Sequence, residues 1–96
     1  MQTNQTLYQN EKRAVEIRLT DQDDATFEPD AAYTVVYDSS GNIVRESQSC
    51  YKESNKIYDI IGPAVTENAG DYEIIWKIEK GDYTYYHKTN LTVLSL

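Results

Sequence analysis

The sequence has one cysteine, Cys50, among its 96 residues. A single thiol cannot form a disulfide within the chain, so a small secreted scaffold held together by disulfides is excluded. A chain of this length hides only about two-thirds of the surface that its unfolded form exposes, which suffices for one packed core and not for two. We therefore expect one small domain that is stabilised by packing alone, with no cleft between two domains.

Positive charge is also scarce, because nine Lys and Arg residues stand against 16 Asp and Glu residues, for a formal net charge of −7. Proteins that bind nucleic acid need clustered cations to displace the counterions of the phosphate backbone. Nucleic acid is therefore not an expected ligand. An acidic inhibitor that mimics DNA needs a continuous negative stripe, and lysine and arginine interrupt the acidic residues along this chain.

Long apolar runs are missing as well. No stretch approaches the roughly 18 apolar residues that a membrane helix needs. Residues 1–10 are polar and lack a basic start followed by an apolar run, so they do not form a signal peptide. The expectation is a protein without membrane contact that stays in the compartment where it is made.

The hydrophobic pattern that is present has a period of two residues. Val15, Ile17 and Leu19 alternate with polar residues, as in a strand with one buried and one solvated face. Three further strands are indicated by β-branched and aromatic residues between turn signals. The four predicted strands cover residues 15–20, 32–37, 43–50 and 57–61. The third of them is mostly polar, which is typical of a strand at a sheet edge.

Two long alternating segments near the C-terminus flank a tight turn and predict a β-hairpin. With residues 80–81 as a two-residue loop, Trp76 lies opposite Tyr85, and Ile75 lies opposite Tyr86. This register collects the apolar residues on one face and a glutamate–lysine pair on the other. A shift by one residue would expose half of the apolar residues, so we expect the register with residues 80–81 in the loop.

Six short strands, or seven if the N-terminal residues pair, predict an all-β antiparallel sandwich without helices. Residues 1–11 are assigned to an N-terminal arm or first edge strand, and residues 12–96 to the sandwich. Tyr72 lies where immunoglobulin-like sandwiches have a corner tyrosine that hydrogen-bonds back to the preceding turn, whereas Ile74 stands where antibody domains have a disulfide cysteine. The chain therefore resembles disulfide-free immunoglobulin-like domains of about seven strands, with Tyr72 and Trp76 as structural residues.

The chain is also similar to small immunoglobulin-like modules in the virion proteins of tailed bacteriophages. The similarity rests on the first alternating strand, on the acidic turn with Pro29 before residues 32–37, on the turn at residues 38–42 and on residues 69–78. The start at Met1 without an export signal favours this family over bacterial adhesins. The resemblance implies a non-catalytic role in capsid decoration, at the neck or in the tail, with assembly in the host cytoplasm and a final location on the virion.

The chain has one thiol and one imidazole, and Cys50 and His87 would have to act together in nucleophilic catalysis. The predicted register puts His87 beside Ile74 on a mostly apolar face, which favours a hydrogen-bonded structural imidazole. Cys50 has no cationic neighbour in the sequence beyond Lys52. The glycines are isolated turn residues and form no phosphate-binding loop. We therefore expect neither an enzyme nor a cofactor.

The aspartates Asp21, Asp23 and Asp24, followed by Glu28 and Asp30, form the one acidic cluster that suits a metal ion. Ca²⁺ takes several carboxylate oxygens, and a loop at the end of a sandwich can wrap around it. The spacing lacks the glycine and the distal glutamate of an EF-hand, and an acidic loop is usually a solvated turn. The expectation is no metal site, with the three aspartates as a minor Ca²⁺ candidate.

Nine tyrosines are present. Most are expected in the core or at a corner of the sandwich, namely Tyr33, Tyr37, Tyr58, Tyr72, Tyr83 and Tyr85. Ile75 and Tyr86 differ, because the predicted register places them opposite each other on the outer face. Such an apolar pair suits a small protein interface, although isolated apolar residues are normal on a surface. Leu7 is a third interface candidate, since the N-terminal arm can add as a strand to the sandwich or to a neighbouring subunit.

Three functions from different classes are consistent with these patterns. The favoured one is a structural virion component that binds copies of itself, or a capsid or tail protein, through sheet edges, the arm and the outer face. The second is a surface-exposed module that binds a host-cell glycan or surface protein, which requires exposed tyrosines and is disfavoured if Trp76 is buried. The third and least favoured is the DNA-mimicking inhibitor.

Overall fold

The computed structural model describes residues 2–19, 29–53 and 56–95. This part of the chain folds into eight strands and one short helix. In chain order they are β1 (Gln2–Tyr8), β2 (Arg13–Arg18), β3 (Ala31–Asp38), β4 (Ile43–Ser49), β5 (Tyr51–Glu53), β6 (Lys56–Ile61), α1 (Pro63–Thr66), β7 (Gly70–Lys80) and β8 (Tyr83–Leu94). The four strands that the alternation predicts are present within two residues of their predicted ends, and both arms of the predicted hairpin are present as β7 and β8.

The strands form two sheets, with the orders β1-β8-β7-β3-β4 and β2-β6-β5. Every neighbouring pair is antiparallel except β1 and β8, which run parallel. The predicted all-β sandwich is therefore confirmed, and β4 occupies the sheet edge that its polar sequence indicates. No helix in the described ranges is long and apolar enough to cross a membrane.

The core lies between the two sheets and collects the inward residues of both. Trp76 is its largest fully buried side chain, with an exposed fraction of 0%. The predicted inward positions of β2 are all buried, as are alternate residues of β7 from Tyr72 to Ile78. The other buried apolar residues are Leu7, Ala32, Val36, Ile57, Ile61, Val65, Leu91 and Val93. Alternation along each strand thus decides which side chains leave water.

The hairpin register differs from the predicted one by two residues. Lys80 pairs with Tyr83, so the loop consists of residues 81–82, and Trp76 lies opposite His87. A left-handed backbone at Gly81, with φ of 58°, closes this loop. A shift by two residues keeps every side chain on its predicted face, which is why the hydrophobic pattern could not distinguish the two registers.

Two elements were missing from the predicted fold. Helix α1 has only four residues, too few for a visible helical period, and begins at Pro63 after Gly62. It buries Val65 and Thr66, and the Thr66 hydroxyl donates to the Glu11 carbonyl at 2.7 Å. Strand β5 is three residues long and exposed throughout. The expectation of a chain without helices was therefore wrong at this one turn.

The corner tyrosine is present as the sequence indicates. The Tyr72 hydroxyl donates a hydrogen bond to the Asn68 carbonyl at 2.8 Å, and the ring is 8% exposed. This bond ties the start of β7 to the turn that follows α1. The interaction therefore fixes the place where the chain enters the central hairpin of the larger sheet.

Candidate functional site

The tip of the β7–β8 hairpin carries the most exposed aromatic side chains of the described residues. Tyr83 and Tyr86 are 69% and 65% exposed, and Tyr85 is 45% exposed. The rings of Tyr83 and Tyr85 lie 6.4 Å apart at a tilt of 32°. The prediction that Tyr83 and Tyr85 are core or corner residues was wrong, because both side chains are exposed. We call Tyr83, Tyr85 and Tyr86 the tyrosine tip.

The strand neighbours of β8 explain this exposure. Strand β1 begins at Gln2 opposite Lys88, so its described part does not extend along β8 toward the hairpin loop. The side chains of Tyr83 and Tyr85 point to the inner face and that of Tyr86 to the outer face. The tip therefore presents aromatic groups on both faces of a two-stranded extension.

Asp30 holds the loop of the tyrosine tip in place. Its carboxylate accepts a hydrogen bond from the Gly81 backbone N–H at 2.7 Å, and its own N–H donates to the Glu79 carbonyl at 2.8 Å. Lys52 donates to the Asp30 carbonyl at 2.7 Å and so links this loop to β5. A fixed loop lowers the entropy that a partner must remove on binding.

Ile75 and Tyr86 are not opposite each other. Ile75 pairs with Lys88, and Lys77 pairs with Tyr86, so the two apolar residues are diagonal neighbours on the outer face. Ile75 is half-buried, which leaves Tyr86 as the larger exposed group. The predicted interface pair is therefore corrected to one exposed tyrosine beside a half-buried isoleucine.

Charge pairs surround Tyr86. Lys88 lies 3.6 Å from Glu73, across a diagonal of the sheet rather than directly opposite as predicted, and Lys77 lies 3.8 Å from Glu79. Opposite charges alternate on this part of the outer face, so the described residues form no continuous negative stripe here. That arrangement does not favour a DNA mimic.

Leu7 is not available to a partner, in contrast to its prediction as an interface residue. It is 0% exposed and belongs to the core, because β1 adds to the chain's own larger sheet. The N-terminal arm is thus the first edge strand of the sandwich. Its inward residue contributes to folding rather than to docking.

Cys50 and His87 have separate environments and do not form a catalytic pair. Burial raises the pKa of the Cys50 thiol to about 11, so the thiol is protonated at neutral pH. The negative charge of Asp59 also raises this pKa, whereas the positive charges of Arg45 and Lys52 lower it. The His87 ring contacts the Thr3 hydroxyl instead, with 3.1 Å between Nε2 and Oγ1.

His87 belongs to a buried polar network that joins β1 to the hairpin. The Trp76 indole donates to the Thr89 hydroxyl at 2.9 Å, and the hydroxyls of Thr89 and Thr3 are 2.8 Å apart. The indole N–H can only donate, and the Thr89 hydroxyl accepts from it. The buried polar atoms of this network thus have partners between the strands. Its role is structural, as the sequence predicts for His87.

Acid should destabilise the protein partly through His87. Burial lowers the pKa of this ring below its ordinary value of 6.5, so the unfolded chain binds a proton at a higher pH than the folded chain. The stability that neutral His87 contributes is complete above about pH 6.5 and is lost as the pH falls through the folded pKa. Urea unfolding at about pH 7.5 and 5.5 should show this loss, and His87→Gln should show a smaller one. Equal pH dependence in both proteins would contradict the assignment.

The structure contains a buried ion pair between the sheets that the sequence analysis did not predict. Asp59 of β6 and Arg45 of β4 form a salt bridge with side chains 5% and 11% exposed. The Thr34 hydroxyl donates to the same carboxylate at 2.5 Å, and Arg45 also donates to Thr34 and to the Ile60 carbonyl. The alternation of β6 already places Asp59 on the inward face between Ile57 and Ile61, which was the available signal.

A shallow pocket of about 270 Å³ lies at the other end of the hairpin from the tyrosine tip. Its polar lining residues are Ser39, Asp71, Glu73, Asn90 and Thr92. Glycan sites commonly combine such groups with an aromatic platform, and here the two features are at opposite ends of strands β7 and β8. The proposed Ca²⁺ ligands Asp21, Asp23 and Asp24 lie outside the described residues, and within the described ranges no cluster of three His, Cys, Asp or Glu residues suits a metal ion.

Comparison with known proteins supports the fold and no specific activity. No family model matches the sequence, and no curated protein matches it. Among solved structures, a family 123 glycoside hydrolase from Clostridium perfringens that hydrolyses glycolipid glycans is similar with a TM-score of 0.63 and 8% identity. The similarity covers 99% of this chain and 23% of the hydrolase, so the chain spans about a quarter of that enzyme.

Two titin structures are similar to this chain over most of the length of both proteins. Titin domain M7 matches with a TM-score of 0.52 and 10% identity, over 97% of this chain and 86% of that one. A chimeric titin Z1Z2 matches with a TM-score of 0.51 and 15% identity, over 99% and 89% of the two chains. These values show that the chain has an immunoglobulin-like sandwich fold.

Proposed function

We propose that this chain is a non-catalytic structural protein of a bacteriophage particle, in capsid decoration, the neck or the tail, that acts through protein–protein contacts. The observation that carries the proposal is the tyrosine tip, where Tyr83 and Tyr86 are the two most exposed large apolar residues among those that the structure describes. Interface cores are enriched in tyrosine and depleted of charge. The tip has this composition, since residues 83–87 carry three tyrosines and no Asp, Glu, Lys or Arg.

The rigidity of the tip also supports docking to a protein. Backbone pairing of β7 with β8 extends to Lys80 and Tyr83, and the Asp30 carboxylate holds the loop. A rigid aromatic projection can enter a groove on a partner at a low entropic cost. The thiol and the imidazole are both engaged in the sandwich, which leaves these two residues in structural roles.

Loss of the exposed tyrosines should weaken docking without unfolding the domain. Tyr83→Ala and Tyr86→Ala remove side chains that are largely in water, so each should change the free energy of unfolding by less than about 0.5 kcal/mol. Each should lower incorporation into particles by about tenfold, as expected for an interface hot spot. Incorporation is measured by peptide mass spectrometry of gradient-purified particles from cells that produce the variant.

Ile43→Ala is the matched control, because Ile43 is 51% exposed and lies at the start of the edge strand β4, away from the tip. Its incorporation should equal that of the wild type. Absence of the wild-type chain from purified particles would refute the virion role. Normal incorporation of both tyrosine variants would remove the tip as the docking surface.

A second candidate is a module that binds a glycan or protein on the host surface. The tilted pair of Tyr83 and Tyr85 favours it, because exposed aromatic rings are platforms for sugar rings, whereas the complete burial of Trp76 removes the tryptophan from that role. Binding to an array of host-surface glycans, lost in Tyr83→Ala, would support this function. A wild-type protein that binds none of them would exclude glycan binding and would leave only a host-surface protein as the ligand of this second candidate.

A further inference from the structure

The outward edge of β1 has backbone hydrogen-bonding groups that have no strand partner among the described residues. Among the described residues β1 pairs only with β8, as the first strand of the larger sheet. The Gln9 N–H donates to the Leu94 carbonyl in continuation of this ladder. Strands bond each neighbour through alternate residues, so the odd-numbered residues of β1 face β8. Gln2, Asn4, Thr6 and Tyr8 therefore direct their N–H and C=O groups to the open side.

One end of this edge is closed by the chain itself. The Glu11 carboxylate accepts the outward N–H of Tyr8 at 2.8 Å. The Gln5 side-chain amide makes only a long contact of 3.4 Å with the Thr6 carbonyl. The segment that can accept another strand thus runs from Gln2 to Thr6.

The other sheet edges in the described ranges are protected against strand addition. Edge strand β4 has irregular register against β3 and an exposed Glu46, β2 has the charged residues Arg13, Glu16 and Arg18, and β5 has only three residues. Bulges, charges and short length are the usual devices that prevent edge-to-edge pairing. Strand β1 has seven residues, no charge, no proline and a regular ladder, so it lacks all of these devices.

We propose that the β1 edge binds the β1 edge of a second copy of this chain, antiparallel, around a two-fold axis at Asn4. In this register Asn4 faces Asn4 of the second copy, and Gln2 faces its Thr6. Every residue with outward groups then meets another such residue, which gives up to six backbone hydrogen bonds. The two larger sheets join into one continuous sheet across the dimer.

Register favours a second copy as the occupant, and the neutral edge adds no charge repulsion to the contact. The domain has a net charge of −7, so most contacts between copies bring like charges together, whereas the β1 edge is neutral. Self-pairing is possible because the edge matches itself in length and in the spacing of its outward groups. The register stops before Tyr8, whose N–H already has Glu11 as its partner. This surface is distinct from the tyrosine tip, and the inference does not depend on the virion role.

A pair of double variants tests the facing positions. Gln2→Lys with Thr6→Lys introduces like charges opposite each other in the dimer, whereas Gln2→Glu with Thr6→Lys introduces opposite charges. Gln2 and Thr6 are both exposed, so both variants should remain folded. Sedimentation velocity from about 10 µM to 1 mM should show a wild-type dimer that weakens at least about tenfold in the first variant and persists in the second.

Asn4→Pro provides an independent test, because it deletes an outward N–H and leaves the backbone bonds to β8 intact. It also removes the exposed side-chain bond that Asn90 donates to Asn4 at 3.2 Å. Its dimer should weaken at least about tenfold, while its melting temperature stays close to that of the wild type at low concentration. A wild-type protein that is monomeric at about 1 mM would overturn the proposal and would leave the edge to a strand of a different protein. A dimer that is equally stable in all three variants would also overturn it.

Discussion

Replacing Trp76 with alanine is expected to lower the free energy of unfolding by about 3 to 5 kcal/mol. The side chain is 0% exposed and is the largest of the fully buried residues. Its loss removes apolar area from the core and leaves a cavity between two sheets that relax only in part. It also leaves the Thr89 hydroxyl without the indole N–H that donates to it at 2.9 Å. A loss of this size is a large share of the 5 to 15 kcal/mol that typically stabilises a small domain.

Urea unfolding followed by far-ultraviolet circular dichroism measures this effect without relying on tryptophan fluorescence. Trp76→Phe is the matched control, because phenylalanine keeps most of the buried aromatic volume and loses the indole hydrogen bond to Thr89 with a small part of the ring system. Trp76→Phe should lose less than half of the free energy of unfolding that Trp76→Ala loses. A free energy of unfolding unchanged in Trp76→Ala would show that the two sheets do not pack around this residue.

The second large effect is expected at the buried ion pair. Asp59→Ala should cost about 3 to 5 kcal/mol, since it leaves the Arg45 guanidinium charged and without its carboxylate in a site only 11% exposed. The Thr34 hydroxyl loses its acceptor in the same change. Arg45 already has a buried Nε without a partner among the described residues, so the remaining groups offer little compensation.

Replacing both partners tests whether the cost comes from the unpaired charge. Arg45→Met with Asp59→Leu removes both charges and keeps similar volumes, and its stability should lie within about 1 kcal/mol of the wild type or above it. The double-mutant cycle then gives a large favourable coupling between the two residues. If the double variant were as unstable as the sum of the single ones, the coupling energy would be zero, and the cost of Asp59→Ala would not come from an unpaired Arg45 charge.

The sequence predicted the hairpin faces and missed their register. Both registers place Trp76 inward and Tyr86 outward, because they differ by an even number of residues. The loop residues decide between them, and they depend on contacts from elsewhere in the chain. Asp30, which is 51 positions away from Gly81, accepts the N–H of this loop in the observed register. No local pattern contains that information.

The candidate site was predicted only in part for a related reason. Tyr86 is exposed as expected, but Tyr83 and Tyr85 continue the same alternation as His87 and are nevertheless exposed. Alternation reports which face a side chain occupies and not whether another layer covers that face. Leu7 shows the reverse case. Strand β1 joins the chain's own larger sheet and thereby places the Leu7 side chain in the core.

By itself, the sequence determined that this protein is an all-β sandwich without an internal disulfide, where six of the eight described strands lie, and which faces of β2, β7 and β8 point inward. It was wrong for β3 and β6, where Tyr33, Tyr37 and Tyr58 were expected in the core or at a corner and lie half-buried on the face opposite to the buried residues. The correctly predicted properties depend on the side-chain period of two along each strand, so they can be read locally. Only the tertiary structure decided the register of the hairpin, the parallel pairing of β1 with β8, the Arg45–Asp59 pair and the exposure of the tyrosine tip. Each of these depends on which distant segments meet, and the free energy that selects among such pairings comes from contacts between residues far apart in the chain.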